Sequence, residues 1–286
     1  MSSKFENVAA ARDRFFGRLA AGPALMGIVN VTPDSFSDGG RFVTPEAALA
    51  QARKLVVEGA DIIDVGAEST RPGHTPISVK EEWARLEPLL SLLVAEAGAP
   101  ISIDTHKAET AWWATGAGAA VVNDVWGLQR DPDMAGVVAA AGAGVVIMHN
   151  RSEVDPEIDI VDDMLRFFER SLDIARRAGV DERHVLLDPG VGFGKTRAQN
   201  YAALRATPTL ARFGLPLLIG VSRKSIFRDL PDGAVEGRLV GTLAANLYAA
   251  FQGARAFRVH DAAEHKAAFA VLAALQGWES DEGAQP

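Results

Sequence analysis

There is no cysteine among the 286 residues of this chain. Its absence excludes a disulfide scaffold, a thiolate nucleophile, a cysteine zinc site and an iron–sulfur cluster together. A thiol-free chain suits a reducing compartment, and a cytoplasmic location is the expectation. No stretch approaches the ~18 consecutive apolar residues of a membrane span, so no membrane partner is expected. A secretory signal is not expected either, because Lys4, Glu6, Arg12, Asp13, Arg14 and Arg18 interrupt every early apolar stretch. Glu6 and Asp13 also argue against a transit peptide. Positive charge is in deficit, with a formal net charge of −8. Nucleic acid is therefore not an expected partner, and affinity for phosphate must come from a local cluster of Arg and Lys. The six histidines are scattered without a ligand-spaced pair, which removes the usual zinc signature.

What is present is a globular composition, 48% hydrophobic and 23% charged, long enough to bury a sizeable core. Short apolar runs recur at 24–29, 62–65, 101–103, 119–122, 144–148, 185–187, 216–221 and 256–259. Most are apolar on consecutive residues, the pattern of a strand buried on both faces. Amphipathic helices are expected between them. Thr44-Pro45-Glu46 supplies a cap, a proline at the first helical position and an early acid for a helix running to Gly59. Ser78 and Glu81 form a capping-box pattern ahead of a helix towards Ala97. Thr105 can cap a helix starting near Lys107, and helices over 160–178, 235–252 and 262–275 end at Gly179, Gly253 and Gly277. Eight strands alternating with helices imply parallel pairing and right-handed crossovers. The expectation is an α/β protein, a single-domain (β/α)8 TIM barrel over 23–278, with an N-terminal extension at 1–22 and a flexible tail at 279–286. A doubly wound sheet would want a glycine-rich turn after the first strand, and Asn30-Val31-Thr32-Pro33 is not one.

A barrel builds its site where strands exit into the following loops. The residues there are Asn30; Asp64, Glu68, Thr70 and Arg71; Asp104; Asn123 and Asp124; Met148 and His149; Asp188; Ser222, Arg223 and Lys224; and Arg258, His260 and Asp261. Acceptors occupy one part of the predicted mouth and cations another. The ligand is expected to have a donor-rich end and an anionic end. Two post-strand loops, 31–42 and 69–76, are rich in turn-forming residues and able to close over a ligand. Phe36 on the first is an aromatic on a polar loop, which makes it a buried anchor or a ligand contact.

These residues fall in motifs: NVTPDSFSDGG at 30–40, IDVG at 63–66 leading into ESTRPG at 68–73, IDT at 103–105, ND at 123–124, LDPG at 187–190 with GFG at 192–194, SRKS at 222–225 and RVHD at 258–261. In that order, each at a predicted strand end, they resemble the dihydropteroate synthases of folate biosynthesis. The resemblance extends from Met26 to Leu275. It implies a (β/α)8 barrel and a transferase that joins p-aminobenzoate to 6-hydroxymethyl-7,8-dihydropterin pyrophosphate, releasing pyrophosphate and forming 7,8-dihydropteroate. A pterin presents a side-by-side amine and ring N–H pair, which a carboxylate accepts in bidentate fashion.

By that resemblance, Asp188 takes the donor edge. Asn123, Asp104 and Lys224 meet other ring edges, Met148 and Phe193 supply apolar wall, and Arg258 stacks on the ring. Asp104, Lys224 and Arg71 are the expected catalytic residues. Asn30, Thr70, Arg71, Arg258 and His260 are expected to hold pyrophosphate, with Asn30 as ligand to Mg²⁺. Phe36, Thr70, Pro72, Phe193 and Ser222 are expected around p-aminobenzoate. The family also implies a homodimer and a target of sulfonamides. A dissociative substitution, stabilised by position and charge, fits a pterin able to delocalise a cation.

A P-loop motif, one other enzyme and a silent paralogue compete. GVGFGKT at 190–196 suggests a phosphate-binding P-loop, but that pattern needs four residues between its glycines and this stretch has three, so a turn gating the pocket is the better reading. A pterin-dependent methyltransferase would share Asp104, Asn123 and Asp188 but has no need of the Ser-Arg-Lys run. A catalytically silent paralogue would be expected to lose Lys224, Asp104 or Arg71, and all three are present. His149 is expected as a buried strand-end histidine making one backbone bond, and Trp112 and Trp113 as packing or interface residues. Asn150-Arg151-Ser152-Glu153 departs from the family's usual pattern beside the predicted pocket.

Overall fold

The computed structural model describes residues 6–31, 44–68, 75–230, 234 and 236–276. Eight parallel strands follow one another: β1 (Ala24–Asn30), β2 (Ile62–Gly66), β3 (Ile101–Asp104), β4 (Val121–Asp124), β5 (Gly144–Met148), β6 (Val185–Asp188), β7 (Leu218–Ile219) and β8 (Ala256–Val259). The hydrogen-bonded order is β6-β5-β4-β3-β2-β1-β8-β7. A bridge from Leu187 to Leu217, with the Leu187 N–H donating to the Pro216 carbonyl at 3.0 Å, brings β7 beside β6 and closes the ring. This is the (β/α)8 barrel expected from the alternation.

The helices are α1 (Glu6–Ala21), α2 (Pro45–Val57), α3 (Val79–Glu96), α4 (Ala108–Gly116), α5 (Met134–Ala141), α6 (Ile160–Ala178), α7 (Arg197–Arg205), α8 (Thr207–Leu210), α9 (Leu239–Phe251) and α10 (Ala262–Gln276). Thr44 caps α2 by accepting from the Ala47 N–H, and Gly179 ends α6 in the left-handed conformation. Three boundary expectations needed correction. Ser78 accepts from the Glu81 N–H, but the Glu81 carboxylate turns to Arg85 at 2.7 Å instead of completing the box. Thr105 Oγ1 takes the Lys107 N–H, while the first N–H of α4, at Ala108, goes to Asp131. The helix expected over 235–252 starts at Leu239, after a 3₁₀ turn at Glu236–Arg238. A full capping box does occur, between Thr196 and Gln199 at the start of α7.

Strand parity organises the interior. Leu25, Val29, Ile63, Val65, Ile101, Ile103, Val122, Val145, Ile147, Val185, Leu187, Ile219, Phe257 and Val259 pack with helix residues such as Leu55, Leu86, Leu90 and Phe168 in the outer core. The alternate residues Met26, Ile62, Val121, Val146, Leu186, Leu218 and Ala256 form a second, inner cluster. Phe15 and Leu19 of α1 belong to that inner cluster, so α1 closes the end of the barrel where the strands begin. Phe16 packs on Gly144, the first residue of β5, where a Cβ would lie 2.5 Å from the ring.

On five strands the inner face is polar one pleat step further on, two positions along: Ile62 leads to Asp64, Val121 to Asn123, Leu186 to Asp188 and Ala256 to Arg258, and on β3 Ser102 leads to Asp104. These residues lie within the strands, not after them. β4 accordingly runs two residues later than its apolar run suggests, because Asn123 and Asp124 keep their backbone pairing while their side chains are buried. β7 is shorter than its 216–221 run, since Pro216 offers only a carbonyl to the ladder.

If α1 is integral to the barrel, Phe15→Ala should cost about 3–5 kcal/mol in urea unfolding, the range for removing a buried Phe. A loss below about 1 kcal/mol would show that the helix adds little to the barrel's stability.

Candidate active site

The polar residues above the inner apolar layer form three linked groups. In the first, Arg258 Nε donates to Asp64 Oδ2 at 2.6 Å and Arg258 Nη2 to Asp104 Oδ2 at 2.8 Å. Asn123 Nδ2 also donates to Asp64 Oδ2, at 3.1 Å. Asp64, Asp104 and Asn123 are buried. The second oxygen of Asp64 and that of Asp104 are buried with no hydrogen-bond partner among the described residues. Two orphaned carboxylate oxygens in a barrel floor are costly unless a donor-bearing ligand meets them.

The second group stands on β6 and the turn after β7. Asp188 Oδ1 accepts the Gly190 N–H at 2.7 Å. Lys224 Nζ donates to the Val191 carbonyl and lies 4.6 Å from the centre of the Phe193 ring. The chain between Ser222 and Lys224 is bent by Arg223 at φ 56°, which costs a non-glycine residue about 1–2 kcal/mol. Thr242 accepts the Arg223 N–H at 3.1 Å, Arg238 donates to its carbonyl at 3.2 Å, and Asp261 holds its guanidinium. Met148 is the register partner of Asp188.

In the third group, Ser222 Oγ lies 2.9 Å from His260 Nδ1 and accepts the His260 N–H at 3.1 Å. Asn30, half-buried, ends β1 opposite Gly66. The structure thus joins Arg258 to Asp104 directly and to Asn123 through the shared Asp64 oxygen, and brings Phe193 to Lys224 and Ser222 to His260. Phe36, Thr70, Arg71 and Pro72 lie outside the described residues. Asp64 is the participant that strand-end reading noticed without giving it a role. Its position, two residues after Ile62 on an inward face, is the same signal that marks Asp104 and Asp188.

Burial sets the protonation of this floor. It raises the Asp104 carboxyl to about 7, with Arg258 pulling it down and Asp64 pushing it further up. Asp188 is raised by the same burial, against the pull of Lys224. Lys224 is lowered by burial to about 8, against the attraction of Asp188. The site therefore holds an acid and an ammonium within about a unit of neutral pH, the hallmark of a functional pocket.

Lys195 settles the P-loop question. It is buried, and its Nζ donates to the Gly190 carbonyl at 2.8 Å and the Phe193 carbonyl at 3.0 Å, with His149 O at 3.4 Å. It holds backbone and is no phosphate-reaching lysine. His149 differs from expectation, since its ring Nε2 pairs with Asp163 at 3.1 Å and not with backbone. Burial drives its pKa down to about 3, so it is neutral. Arg151, from the unusual loop, shares Asp163 at 2.7 Å. Trp113 packs against Trp83 with ring centres 5.4 Å apart.

The chain matches the family of pterin binding enzymes over residues 26–260, and it belongs to that family. It is 44% identical over 237 residues to the dihydropteroate synthase of Bacillus subtilis, covering 83% of each chain. Its fold superposes on the Xanthomonas albilineans dihydropteroate synthase with 4-aminobenzoic acid at a TM-score of 0.85 and 44% identity, covering 89% of this chain and 93% of that one. A Yersinia pestis dihydropteroate synthase in a sulfonamide drug complex aligns at a TM-score of 0.84 and 38% identity, over 91% of this chain and 96% of that one.

Asp104 gives the stability a definite pH dependence. Below its ordinary value of 3.8 it is protonated whether folded or not. From there to about 7 the folded chain keeps a proton that the unfolded chain has lost, so its contribution falls as pH rises through this window. The stability difference between wild type and Asp104→Asn should therefore move in the variant's favour from pH 4 to pH 7 in urea unfolding. A difference independent of pH would contradict the raised value.

Proposed function

We propose that this chain catalyses the dihydropteroate synthase reaction. Arylamine nitrogen attacks the pterin methylene, the carbon–oxygen bond to pyrophosphate breaks with its electron pair leaving on pyrophosphate, and the amine sheds one proton. The observation that carries this reading is the floor itself. Asp64 and Asp104 each have an orphaned buried oxygen, and Asp188 and Lys224 stand beside them, a set complementary to a pterin's donor edge and its ring carbonyl. The kinship to dihydropteroate synthases at 44% identity over most of the chain supports it.

In this reading Asp188 pairs with the pterin amine edge, and Asn123 and Asp104 accept or donate at other ring edges. Lys224 leaves Val191 to donate to the ring carbonyl and N5. Met148 and Phe193 form the walls, and Arg258, already steadied by Asp64 and Asp104, lays its plane on the ring. Asn30, Thr70, Arg71, Arg258 and His260 receive the pyrophosphate. Phe36, Thr70, Pro72, Phe193 and Ser222 surround p-aminobenzoate, and sulfonamides compete there. The described residues hold no group of three His, Asp or Glu able to bind a metal. The amide oxygen of Asn30 at the barrel mouth fits Mg²⁺, which takes few protein ligands and is held largely by water and substrate phosphates. Bound there, the ion would neutralise charge on the leaving group. The Asp104 carboxylate then favours positive charge developing on the pterin methylene, while Lys224 holds the ring in position through its carbonyl and N5, without a covalent intermediate.

We also read the chain as a homodimer working in the cytoplasm. Val240 (73% exposed), Tyr248 (42%) and Phe251 (64%) leave an apolar face on α9. It adjoins a groove of about 350 Å³ lined by Tyr201, Leu204, Phe227 and Leu230. A second copy of this face is the occupant we propose. Sedimentation should give a dimer for the wild type and a monomer for the Val240→Glu, Phe251→Glu double variant; a monomeric wild type refutes the dimer.

Pyrophosphate release from 6-hydroxymethyl-7,8-dihydropterin pyrophosphate should require p-aminobenzoate, and a sulfonamide should inhibit it. Lys224→Ala should lower kcat/KM at least ~10²-fold, about 2.7 kcal/mol of transition-state stabilisation. Asp188→Asn should chiefly raise the pterin KM, because that contact serves ground and transition states alike. Arg71→Ala should lower kcat, because pyrophosphate gains charge as the bond breaks. No pyrophosphate release by the wild type, or an unaltered Arg71→Ala enzyme, would reject the assignment.

A further inference from the structure

Five residues, Gly190 to Gly194, make the turn that separates the Asp188 carboxylate from α7, and its polar atoms are held from two sides. From the pocket side, Asp188 takes the Gly190 N–H at 2.7 Å and Lys224 donates to the Val191 carbonyl. From the outer side, Asn200 Oδ1 takes the Gly192 N–H at 2.5 Å, and Lys195 donates to the carbonyls of Gly190 and Phe193. The turn also lies directly on the residues after β5. A Cβ on Gly190, at φ +64°, would sit 1.8 Å from the His149 carbonyl oxygen, and one on Gly194 would sit 2.5 Å from the Arg151 carbonyl oxygen. Lys195 reaches that same His149 carbonyl at 3.4 Å. Its three N–H groups thus face three carbonyls drawn from two neighbouring loops.

The two lysines differ in what they have left to do. Lys224 must give up the Val191 carbonyl to meet a ligand in the pocket. At that moment the pocket side of the turn loses an ammonium, and the outer side keeps one. We propose that Lys195 is a positioning residue, which fastens the 190–194 turn to the end of β5 and so keeps Asp188 and Phe193 in place when Lys224 turns to the pterin. The proposal rests on reading this pocket as the pterin site. It gives Lys195 no contact with substrate and no part in bond breaking.

Such a role has a kinetic signature. Asp188 and Phe193 act through binding, so loosening their support should raise KM and leave the chemical step nearly intact. The full-length enzyme would be compared with Lys195→Met, which keeps the stem and removes all donors, and Lys195→Gln, which keeps two. For Lys195→Met the pterin pyrophosphate KM should rise at least ~10-fold while kcat changes less than ~3-fold, and Lys195→Gln should fall between. Amide hydrogen exchange at 190–194 should quicken, with the β1–β4 segments unchanged. An unchanged KM with unchanged exchange overturns the proposal, and so does a fall in kcat at constant KM. A lower melting temperature with unaltered KM would show Lys195 to be merely structural, which overturns it too. Should the Met variant fail to fold, Lys195→Gln and Asn200→Ala decide, the latter releasing the same turn at Gly192. Exchange at the turn reads the fastening without any substrate, so an inactive wild type would sink the proposed reaction and leave this measurement standing.

Discussion

A guanidinium buried between two carboxylates governs this molecule. Arg258 reaches across the barrel to Asp64 on one side and Asp104 on the other, and Asn123 shares the Asp64 oxygen that Arg258 uses. Removing one partner of such a group typically costs about 3–5 kcal/mol, because the remaining charge is left without compensation. The floor is therefore rigid before any ligand arrives. That rigidity is useful, since an interaction made with fixed dipoles costs no reorganisation when charge develops. The Asp104 carboxyl owes its unusual proton affinity to burial in this floor, which outweighs the opposing pull of Arg258 and is reinforced by Asp64.

Much of this was legible in the order of residues, for a specific reason. A strand inside a closed barrel is buried on both faces, so it reads as a solid apolar run. A carboxylate ending such a run on the inward parity has nowhere to point except the interior. Asp104, Asn123, Asp188 and Arg258 obey this rule, and Asp64 obeys it equally although motif reading gave it no part. Boundaries were less legible. Asn123 and Asp124 look like loop residues because they are polar, yet they close the β4 ladder. Thr196 and Gln199 spell out a capping box that went unread beside the more conspicuous glycines.

Other features had no local signal at all. Lys195 follows a glycine-rich run, and its neighbours in sequence suggest a phosphate; the carbonyls that surround it come from its own turn, at Gly190 and Phe193, and from His149 on the neighbouring loop. His149 likewise binds a carboxylate from α6, fourteen residues on, through a fold that its own surroundings do not announce. The helix at 6–21 carries Phe15 and Leu19 at a four-residue spacing, but nothing nearby says that these side chains pack into the inner cluster of a barrel.

That helix has a consequence for traffic. With Phe15 and Leu19 packed on the inner apolar residues at the strand starts, the barrel resembles a well with a stopped base, and molecules pass through the rim alone. Whatever rests on Asp64 and Asp104 must enter and leave through that one opening, so a second molecule lodged in it would hold the first in place.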